Sequence, residues 1–479
     1  MNTIKTDVAI IGAGSAGLNA RREAVKAGKD WVMIESGPFG TTCARVGCMP
    51  SKLLIAAADA AHEVENARRF GVEVDEGAWR VNAAEVFGRV RSERARFAGF
   101  VVEDVLELDQ SKVLRGYARF LDQTTLMIDD HTRVEAGAIV VATGSSPFVP
   151  PVFDGVRDKI MLNDDVFELD EVPESLAVIG AGVIGLELGQ ALGRLGASVR
   201  VFNIDDRIAF FSDDAVRDVA LEAFSREMDF SLNSNITSAT ERDGKIALAW
   251  QDAEGNAHEQ VFSHVLVAAG RRPNVTGMGL EDLDLPRDER GRIISSPCST
   301  QVGDSPIFFA GDVSNHRPLL HEAADEGRIA GYNAARFPDV MVAFRRSKIG
   351  VAFTSPQMGF VGKRWEELDP ADVVVGEVSY KNQGRARVML QNEGLVRLYA
   401  DRRNCRLIGG ELLGPRVEHT AHLLTWAIQQ EMRVPDILRM PFYHPVVEEG
   451  IRTALRDLAT KLRVTSHCAP EDFALSPGL

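Results

Sequence analysis

Two cysteines near the start of the chain, Cys43 and Cys48, have the residue type and spacing for redox chemistry. Four residues separate them, a wider gap than the roughly two residues of zinc knuckles and thioredoxin-like motifs. A disulfide at this spacing requires a locally distorted helical turn, and Gly47 supplies the backbone freedom for that turn. Thr41 and Thr42 offer hydroxyl groups that could cap a helix at the same point.

The residues after the cysteines, 52–62, are mostly strong helix formers and predict a helix. Both sulfurs would then lie near a helix N-terminus and beside Lys52, where the helix dipole and the cation favour the thiolate. The alternative is a pair of buried, inert thiols. A turn rich in Gly and Thr that also carries Arg45 is not an apolar core segment, so we interpret the pair as a reversible, catalytic dithiol.

Composition narrows the class of protein. The chain has 479 residues with 45% hydrophobic content, which predicts several domains with substantial cores. A net charge of −15 argues against a nucleic-acid partner. Five cysteines are too few for a disulfide-stapled secreted scaffold. The N-terminus enters a strand at once, without the features of a signal or transit peptide, and no apolar run reaches membrane-spanning length. We therefore expect a cytoplasmic enzyme.

The first glycine-rich turn has the dinucleotide-binding pattern G-x-G-x-x-G between an apolar strand and a helix. Gly12 would make the tight turn, Gly14 would let the backbone approach a pyrophosphate, and Gly17 would allow close packing of the helix. The pyrophosphate would lie on the helix N-terminus. Glu35, at the end of the next apolar strand, could accept hydrogen bonds from ribose hydroxyls.

The same arrangement occurs a second time, with Gly180, Gly182 and Gly185 in the turn and Asn203 at the end of the second strand. This internal repeat predicts two dinucleotides on one chain, one held permanently and one exchangeable. The alternative, a degenerate copy that binds nothing, is disfavoured because all three glycines are present.

The second copy also bears on the choice between NAD and NADP. Asn203 is neutral but can still bond a ribose hydroxyl. Asp205 and Asp206 follow it, with Arg207 as the nearby cation. Carboxylates there would repel a 2′-phosphate, which favours NAD.

The remaining segments predict further strands at 138–144 and 306–312, a strand followed by a Gly-Arg turn over 265–274, and a helix over 321–331. From about Ser347, strands at 373–378, 385–390 and 394–399 precede two helical segments, which indicates a separate α+β domain. Near its end, His444 and Glu449 could form a hydrogen-bonded pair in which the carboxylate orients the imidazole. Taken alone, such a histidine is more often structural, just as Asp312 alone is an ordinary loop aspartate.

Together these motifs resemble the pyridine nucleotide-disulfide oxidoreductases and, within them, the dihydrolipoamide dehydrogenase group. The resemblance covers essentially the whole chain, with its motifs in the family's order. They are GAGSAG, GTTCARVGCMPSK, ATG, GAGVIGLELG, GRRPN, AGDV and HPVVEE.

The resemblance implies an α/β fold with two Rossmann-like domains, for FAD and for NAD, and a C-terminal α+β dimerisation domain. The FAD domain would comprise residues 1–150, with the cysteine pair, and 273–346. The NAD domain would comprise residues 151–272, and the interface domain residues 347–479.

The resemblance also implies catalytic roles. Cys43 would be the interchange thiol that attacks substrate, and Cys48 the thiolate in charge-transfer contact with the flavin. Lys52 would pair with Glu187 near flavin N5. The acid-base group would be His444, held by Glu449, and it would reach the disulfide of the other subunit, so a homodimer is expected.

The cofactor contacts implied by the resemblance fall into two sets. For FAD they are Gly12, Gly14, Gly17, Glu35, Thr42, Lys52, Ala118, Thr143, Gly144, Asp312, Leu320 and His321. For NAD they are Gly180, Gly182, Val183, Ile184, Gly185, Asn203 and Gly270. No metal site is expected.

The implied reaction is oxidation of dihydrolipoamide, free or on a lipoyl-domain protein, with NAD through FAD and the disulfide. The sequence departs from the family at Asn203, where an acid is usual, and at Val446, where Thr is usual. Two alternatives stay open, an NADPH-dependent reductase of the glutathione reductase type and a non-catalytic flavoprotein subunit of a 2-oxo acid dehydrogenase complex. No family role matches three other cysteines, Cys298, Cys405 and Cys468.

Overall fold

A computed structural model describes residues 2–75 and 77–463. The described residues form two compact units. Unit 1 comprises residues 2–53, 88–148 and 270–345, and unit 2 comprises residues 54–75, 77–87, 149–269 and 346–463.

The helices and strands alternate through most of the chain. The strands are β1 (Asn2–Ile11), β2 (Trp31–Glu35), β3 (Val113–Arg115), β4 (Ala118–Phe120), β5 (Thr125–Ile128), β6 (Thr132–Val141), β7 (Ser145–Pro147), β8 (Ser175–Ile179), β9 (Ser198–Phe202), β10 (Asp229–Ser231), β11 (Asn235–Arg242), β12 (Lys245–Gln251), β13 (Ala257–Phe262), β14 (His264–Val267), β15 (Arg271–Pro273), β16 (Ile307–Phe309), β17 (Ile349–Ala352), β18 (Gln357–Gly362), β19 (Val373–Ser379), β20 (Leu395–Asp401) and β21 (Leu407–Gly414). The α-helices are α1 (Ser15–Lys26), α2 (Thr42–Val46), α3 (Cys48–Asn66), α4 (Ala83–Leu106), α5 (Val183–Arg194), α6 (Asp214–Phe224), α7 (Leu320–Ala334), α8 (Gly384–Val388), α9 (Val417–Gln429), α10 (Val434–Leu438) and α11 (Glu449–Lys461). Short 3-10 turns occur at Ala67–Phe70, Gln110–Lys112, Pro151–Val156, Asp165–Glu168, Leu280–Asp282, Asp312–Ser314, Trp365–Glu367 and Tyr380–Asn382.

Unit 1 is built on a sheet in which β3, β2, β1, β6 and β16 run parallel in that spatial order. The hairpin β4–β5 extends the start of β6 in antiparallel register. The end of β1, residues 8–11, is a run of buried apolar side chains. Such a run is typical of a parallel strand that is covered on both faces.

Helices α1 and α7 approach closely through two glycines of α7. A Cβ atom at Gly327 would collide with the backbone of Ala16, and one at Gly331 would collide with the backbone of Ala20. The buried cluster on the side of the sheet that these helices cover contains many alanines together with larger side chains, among them Ile10, Met33 and Phe308.

Unit 2 contains the second copy of the strand–turn–helix arrangement. Its parallel sheet has the order β10–β9–β8–β14, which matches β3–β2–β1–β6 of unit 1 in the placement of the glycine-rich turn after the central strand. An antiparallel meander, β11–β12–β13, follows. The internal repeat predicted from the sequence is therefore present in the fold, although the meander was not predicted.

The C-terminal part of unit 2 is a five-stranded antiparallel sheet in the order β17–β18–β21–β20–β19, followed by α9, α10 and α11. Strands followed by helices were predicted, but up to residue 463, where the described chain ends, three helices follow the last strand rather than two. The predicted strand at 385–390 is wrong, because this segment contains α8. Its alternation of Arg with apolar residues is short, and the Gln383 side chain caps a helix there by accepting from the Ala386 N–H.

The proposed division into four domain segments stays a prediction. Among the helices that the structure describes, none combines the length and the apolar composition needed to cross a bilayer.

The close packing of α1 on α7 generates a stability test with a matched control. Gly327→Ala would place a Cβ against the backbone of Ala16, whereas Gly88→Ala in α4 would place one where no other heavy atom lies within 4 Å. We expect Gly327→Ala to lower the free energy of unfolding by about 1–3 kcal/mol through overpacking. Gly88→Ala should leave it unchanged or raise it by about 0.5–1 kcal/mol, because alanine favours the helix. Thermal unfolding followed by circular dichroism measures both, and equal midpoints would contradict the packing described.

Candidate active site

The two cysteines lie on either side of a break between helices. Cys43 belongs to α2, Cys48 begins α3, and Gly47 separates them. The Thr41 hydroxyl accepts from the Ala44 N–H at 3.4 Å and caps α2, as predicted. A Cβ atom at position 47 would lie 3.1 Å from the Thr42 carbonyl oxygen, so this close turn favours glycine.

The two sulfurs interact directly, and both are present as thiols. A side-chain hydrogen bond with Cys48, followed by burial and the charge of Cys48, raises the pKa of Cys43 well above its ordinary value. The charge of Lys52 opposes this rise. Of the two, Cys48 is the exposed thiol and Cys43 is partly buried, so the two sulfurs have unequal environments.

The first glycine-rich turn fits a dinucleotide. Gly12 has φ +109°, and a Cβ there would collide with the Ala142 carbonyl oxygen, while a Cβ at Gly17 would collide with the Gly12 carbonyl oxygen. At Gly14, the N-cap of α1, a Cβ would meet no heavy atom within 4 Å, so the helix N-terminus faces open space. This combination leaves backbone N–H groups available to a phosphate.

Glu35 is fixed beside this turn. One oxygen of its carboxylate accepts from the Ala13 N–H at 2.8 Å and the other accepts from the Gly37 N–H at 2.7 Å. A carboxylate held in this way keeps lone pairs for the hydroxyls of a ribose. The FAD role assigned to Glu35 remains a prediction, and the geometry fits it.

A second part of the candidate FAD site is formed by two segments far apart in sequence. The Thr143 hydroxyl donates to the Asn274 carbonyl oxygen at 2.7 Å, and the Asn274 side chain donates to the Thr143 carbonyl oxygen at 2.9 Å. Gly144, with φ +69°, accepts from the Asn274 N–H at 3.0 Å. These bonds hold the segment with the ATG motif against the segment with the GRRPN motif.

Asp312 belongs to the same region. It accepts from the Ser145 hydroxyl at 2.7 Å, and that hydroxyl accepts from Arg271 Nε at 2.8 Å. The preceding turn is held by Glu326, which is buried and accepts from the Gly311 N–H at 2.8 Å. Sequence reasoning missed Ser145, Arg271 and Glu326, because each acts through a partner that is distant in the sequence.

The other residues assigned to FAD lie in unit 1 as well. Ala118 is buried at the start of β4, whereas Leu320 and His321 are exposed at the start of α7. Thr42 is the exposed first residue of α2. Their contacts with a flavin remain predictions.

The second glycine-rich turn repeats the first. Gly180 has φ +112°, and a Cβ there would lie 2.5 Å from the Ala268 carbonyl oxygen. A Cβ at Gly185 would collide with the Gly180 carbonyl oxygen, and one at Gly182 would meet no heavy atom within 4 Å. Val183 and Ile184 form the first turn of α5. The turn therefore fits a second dinucleotide on the same physical grounds.

Asn203 occupies in this copy the place of Glu35 in the first. Its side-chain oxygen accepts from the Ala181 N–H at 3.2 Å, as the Glu35 carboxylate accepts from the Ala13 N–H. Its amide nitrogen donates to Asp205 at 2.6 Å. The neutral Asn203 therefore makes the same bond to the glycine-rich turn as Glu35 does. The carboxylate in this copy is that of Asp205, which Asn203 contacts.

Gly270, the remaining residue assigned to NAD, lies in unit 1. It has φ +106°, and its carbonyl oxygen accepts from the Phe148 N–H at 2.9 Å. A contact of Gly270 with NAD stays a prediction.

His444 and Glu449 are hydrogen bonded, as the sequence suggested. His444 Nδ1 lies 3.0 and 3.1 Å from the two oxygens of Glu449, and the Val446 N–H donates to the same carboxylate at 3.2 Å. The bond with His444, followed by that with Val446, lowers the pKa of Glu449 against the effect of desolvation. The imidazole is 79% exposed, so a second molecule can reach it.

Glu187 and Lys52 belong to different units. Glu187 is buried in α5 and accepts from the Phe353 N–H at 2.8 Å. Lys52 donates to the Ser51 hydroxyl at 3.3 Å. The pairing of these two residues stays a prediction.

Two further cysteines lie outside the candidate active site. Cys298 and Cys405 are partly buried thiols in the described chain, and Cys468 lies outside the described residues. Within residues 2–75 and 77–463, no group of three or more His, Cys, Asp or Glu side chains is placed to hold a metal ion.

Comparison with known proteins agrees with this geometry. The family described as pyridine nucleotide-disulphide oxidoreductase matches residues 6–327, and its dimerisation domain matches residues 349–455. Among curated relatives, dihydrolipoyl dehydrogenase 2 of Haloarcula marismortui is 30% identical, covering 94% of this chain and 96% of that protein. Dihydrolipoyl dehydrogenase 3 of Pseudomonas aeruginosa is 31% identical, covering 94% of this chain and 97% of that protein.

Solved structures share the fold. LpdA from Mycobacterium tuberculosis matches with a TM-score of 0.79 at 23% identity, covering 95% of this chain and 99% of that chain. The flavoprotein disulfide reductase RclA from Escherichia coli, in a Cu(II) complex, matches with a TM-score of 0.79 at 20% identity, covering 96% of this chain and 100% of that chain.

These matches confirm the expected fold class and the family resemblance. Members of the family are enzymes that use FAD with NAD or NADP, and the dimerisation domain supports a homodimer. The glycine turns, the coupled thiols and the matched sequence together show that this chain belongs to the pyridine nucleotide-disulphide oxidoreductases.

Proposed function

We propose that the protein is a dihydrolipoamide dehydrogenase that uses NAD. The observation that carries this proposal is the contact between the thiols of Cys43 and Cys48 across the helix break at Gly47. The curated relatives named dihydrolipoyl dehydrogenase, at about 30% identity over nearly the full chain, support it. The lipoyl substrate is either free or carried on a protein domain.

The residues of unit 1 would hold FAD. The turn at Gly12, Gly14 and Gly17 suits the pyrophosphate, Glu35 suits the ribose, and Asp312 suits a hydroxylated chain. FAD, when bound, would carry the two electrons of the dithiol to NAD. We assign residues 1–150 and 273–346 to this function, residues 151–272 to NAD, and residues 347–479 to the interface between subunits.

The sulfur chemistry begins from the Cys43–Cys48 disulfide. A substrate thiolate attacks Cys43, the bond between the two cysteines breaks, and Cys48 leaves as a thiolate. The second substrate thiolate then attacks the substrate sulfur bonded to Cys43. This forms the cyclic disulfide of the oxidised substrate and releases Cys43, which takes up a proton. Two electrons have passed from the substrate to the cysteine pair.

The protons are handled by His444. As a general base it removes a proton from the substrate thiol, because only the thiolate is nucleophilic, and it returns a proton to Cys43. Glu449 orients the imidazole through Nδ1, which leaves Nε2 for the substrate. In the homodimer, the His444 of one subunit would serve the cysteines of the other.

NAD is preferred to NADP because of the charge beside the second glycine turn. The Asp205 carboxylate accepts from Asn203 at 2.6 Å and from the Arg207 N–H at 3.1 Å. A 2′-phosphate next to this carboxylate would be repelled, whereas a 2′-hydroxyl could donate to it.

Steady-state assays with alternative substrate pairs test the proposed function. With dihydrolipoamide, we expect kcat/KM for NAD to exceed that for NADP by about tenfold or more, equivalent to ~1.4 kcal/mol. Reduction of glutathione disulfide by NADPH should be slower than oxidation of dihydrolipoamide by NAD. Faster turnover of glutathione disulfide would instead favour a reductase of the glutathione reductase type, and a flavoprotein inactive in both assays would favour the non-catalytic subunit.

The proton affinities of the two sulfurs can be tested by alkylation of the reduced protein. Cys48→Ala removes both the hydrogen bond and the charge that raise the pKa of Cys43. We therefore expect the pH profile for iodoacetamide labelling of Cys43 to move to lower pH, because the thiolate is the reactive form. Peptide mass spectrometry distinguishes Cys43 from the other thiols. Cys298→Ala is the control and should not move the profile. An unchanged or higher apparent pKa of Cys43 in Cys48→Ala would contradict the coupling.

The choice of nicotinamide cofactor can be tested by removing one charge. Asp205→Asn should raise kcat/KM for NADP relative to NAD by about fivefold, because repulsion of ~1 kcal/mol between charges about 4 Å apart in water is lost. Asp158→Asn, which removes the same charge from an exposed position of the same unit, should leave the ratio unchanged. Equal ratios in the two variants would rule out a role for Asp205.

A further inference from the structure

Gln383 is a buried polar residue close to the His444 segment. Only 8% of it is exposed, and it stands between the 3-10 turn Tyr380–Asn382 and the start of α8. Its backbone N–H donates to the Tyr380 carbonyl oxygen at 3.0 Å, and the Tyr380 ring is itself fully buried. The side chain of Gln383 therefore projects from a firmly held piece of backbone.

The two ends of the Gln383 amide have different partners. The oxygen accepts from the Ala386 N–H at 2.6 Å, which caps α8. The nitrogen donates to the Val446 carbonyl oxygen at 2.7 Å. The bond that caps α8 uses only the side-chain oxygen of Gln383. The bond from its nitrogen is therefore independent of the cap and holds the backbone at Val446.

Val446 lies between His444 and Glu449 and connects Gln383 to both. Its carbonyl oxygen is bound by Gln383, and its N–H donates to the Glu449 carboxylate at 3.2 Å. That carboxylate bonds His444 Nδ1 at 3.0 Å. Among the residues that the structure describes, Glu449 is the hydrogen-bond partner of this exposed imidazole. The carbonyl group and the N–H belong to the two peptide groups on either side of the Val446 Cα, so a displacement of the Val446 backbone passes through Glu449 to the ring.

We propose that Gln383 is a positioning residue for the acid-base histidine, holding the Val446 peptide so that Glu449 orients His444 for proton transfer. The inference rests on the proposed function, because it assumes that His444 exchanges a proton with a thiol substrate. Gln383 itself touches neither His444 nor Glu449 in the bonds described and acts through Val446.

Two isosteric substitutions, one on each side of α8, separate this role from ordinary structural support. Gln383→Glu keeps the oxygen that caps α8 but replaces the donor to Val446 by a second acceptor, which faces a carbonyl oxygen and repels it. The matched control is Asn392→Asp, because the Asn392 side chain donates to the Lys381 carbonyl oxygen at 2.9 Å on the same 3-10 turn. Gln383→Met removes the donor without adding charge and shows whether the new carboxylate matters.

We expect Gln383→Glu and Gln383→Met to lower kcat for dihydrolipoamide oxidation by NAD by about tenfold to a hundredfold, as small misplacements of catalytic groups do. KM for NAD and the NADH–ferricyanide activity, which needs no thiol proton transfer, should be unchanged. Asn392→Asp should behave like the wild type in both assays. Equal kcat values for Gln383→Glu and Asn392→Asp would overturn the inference.

A double-mutant cycle provides the readout that a merely structural role would not move. In a His444→Gln background the histidine is already absent, so Gln383→Glu should lower the residual rate by less than about twofold. A further loss as large as that in the wild-type background would show that Gln383 acts elsewhere and would overturn the proposal.

Failure of the inference is distinguishable from failure of the proposed function. A wild-type protein that does not oxidise dihydrolipoamide contradicts the function, whatever the variants do. Whether Gln383 positions His444 is then decided by crystal structures of Gln383→Glu and the wild type. Displacement of the Val446 peptide and loss of the His444–Glu449 bond support it, whereas an unchanged segment overturns it.

Discussion

The structure depends on close approach of backbone to backbone at glycines. Gly12 lies against the carbonyl oxygen of Ala142, and Gly180 lies against that of Ala268, at distances that leave no room for a Cβ atom. In each copy the first glycine follows the central strand, β1 or β8, and packs against the neighbouring strand's end. The next helix, α1 or α5, therefore begins at the carboxyl end of the sheet with its first N–H groups exposed. Both candidate nucleotide sites follow from this constraint.

A second constraint acts on the sulfurs. Two thiols in contact cannot ionise independently, because a charge on one raises the pKa of the other. The helix break at Gly47 brings Cys43 and Cys48 together, and the bond with Cys48 and then burial raise the pKa of Cys43. The different environments of the two thiols thus arise from local geometry, before any ligand is considered.

Several features of the candidate site were predictable from the sequence because they depend on residues close together in the chain. The glycine turns, the cap at Thr41 and the bond between His444 and Glu449 involve residues close together in the chain. Contacts across the sequence were not predictable: Ser145 meets Asp312 at a separation of 167 residues. The strand predicted at 385–390 was wrong because a short alternating segment does not reveal a side-chain cap. The catalytic and cofactor roles of the site residues remain predictions.

The pairing of β7 with β15 has a consequence for residues 149–269, which lie between these two strands in the sequence. These strands are antiparallel neighbours, and the Phe148 N–H bonds the Gly270 carbonyl oxygen at 2.9 Å. Before and after residues 149–269, the chain therefore leaves unit 1 and returns to it at neighbouring backbone positions. Other contacts of this segment lie within unit 2, where Asp213 accepts from Arg397 at 2.5 Å. Because its two ends stay side by side, the segment can change in length without altering the path of the chain through unit 1.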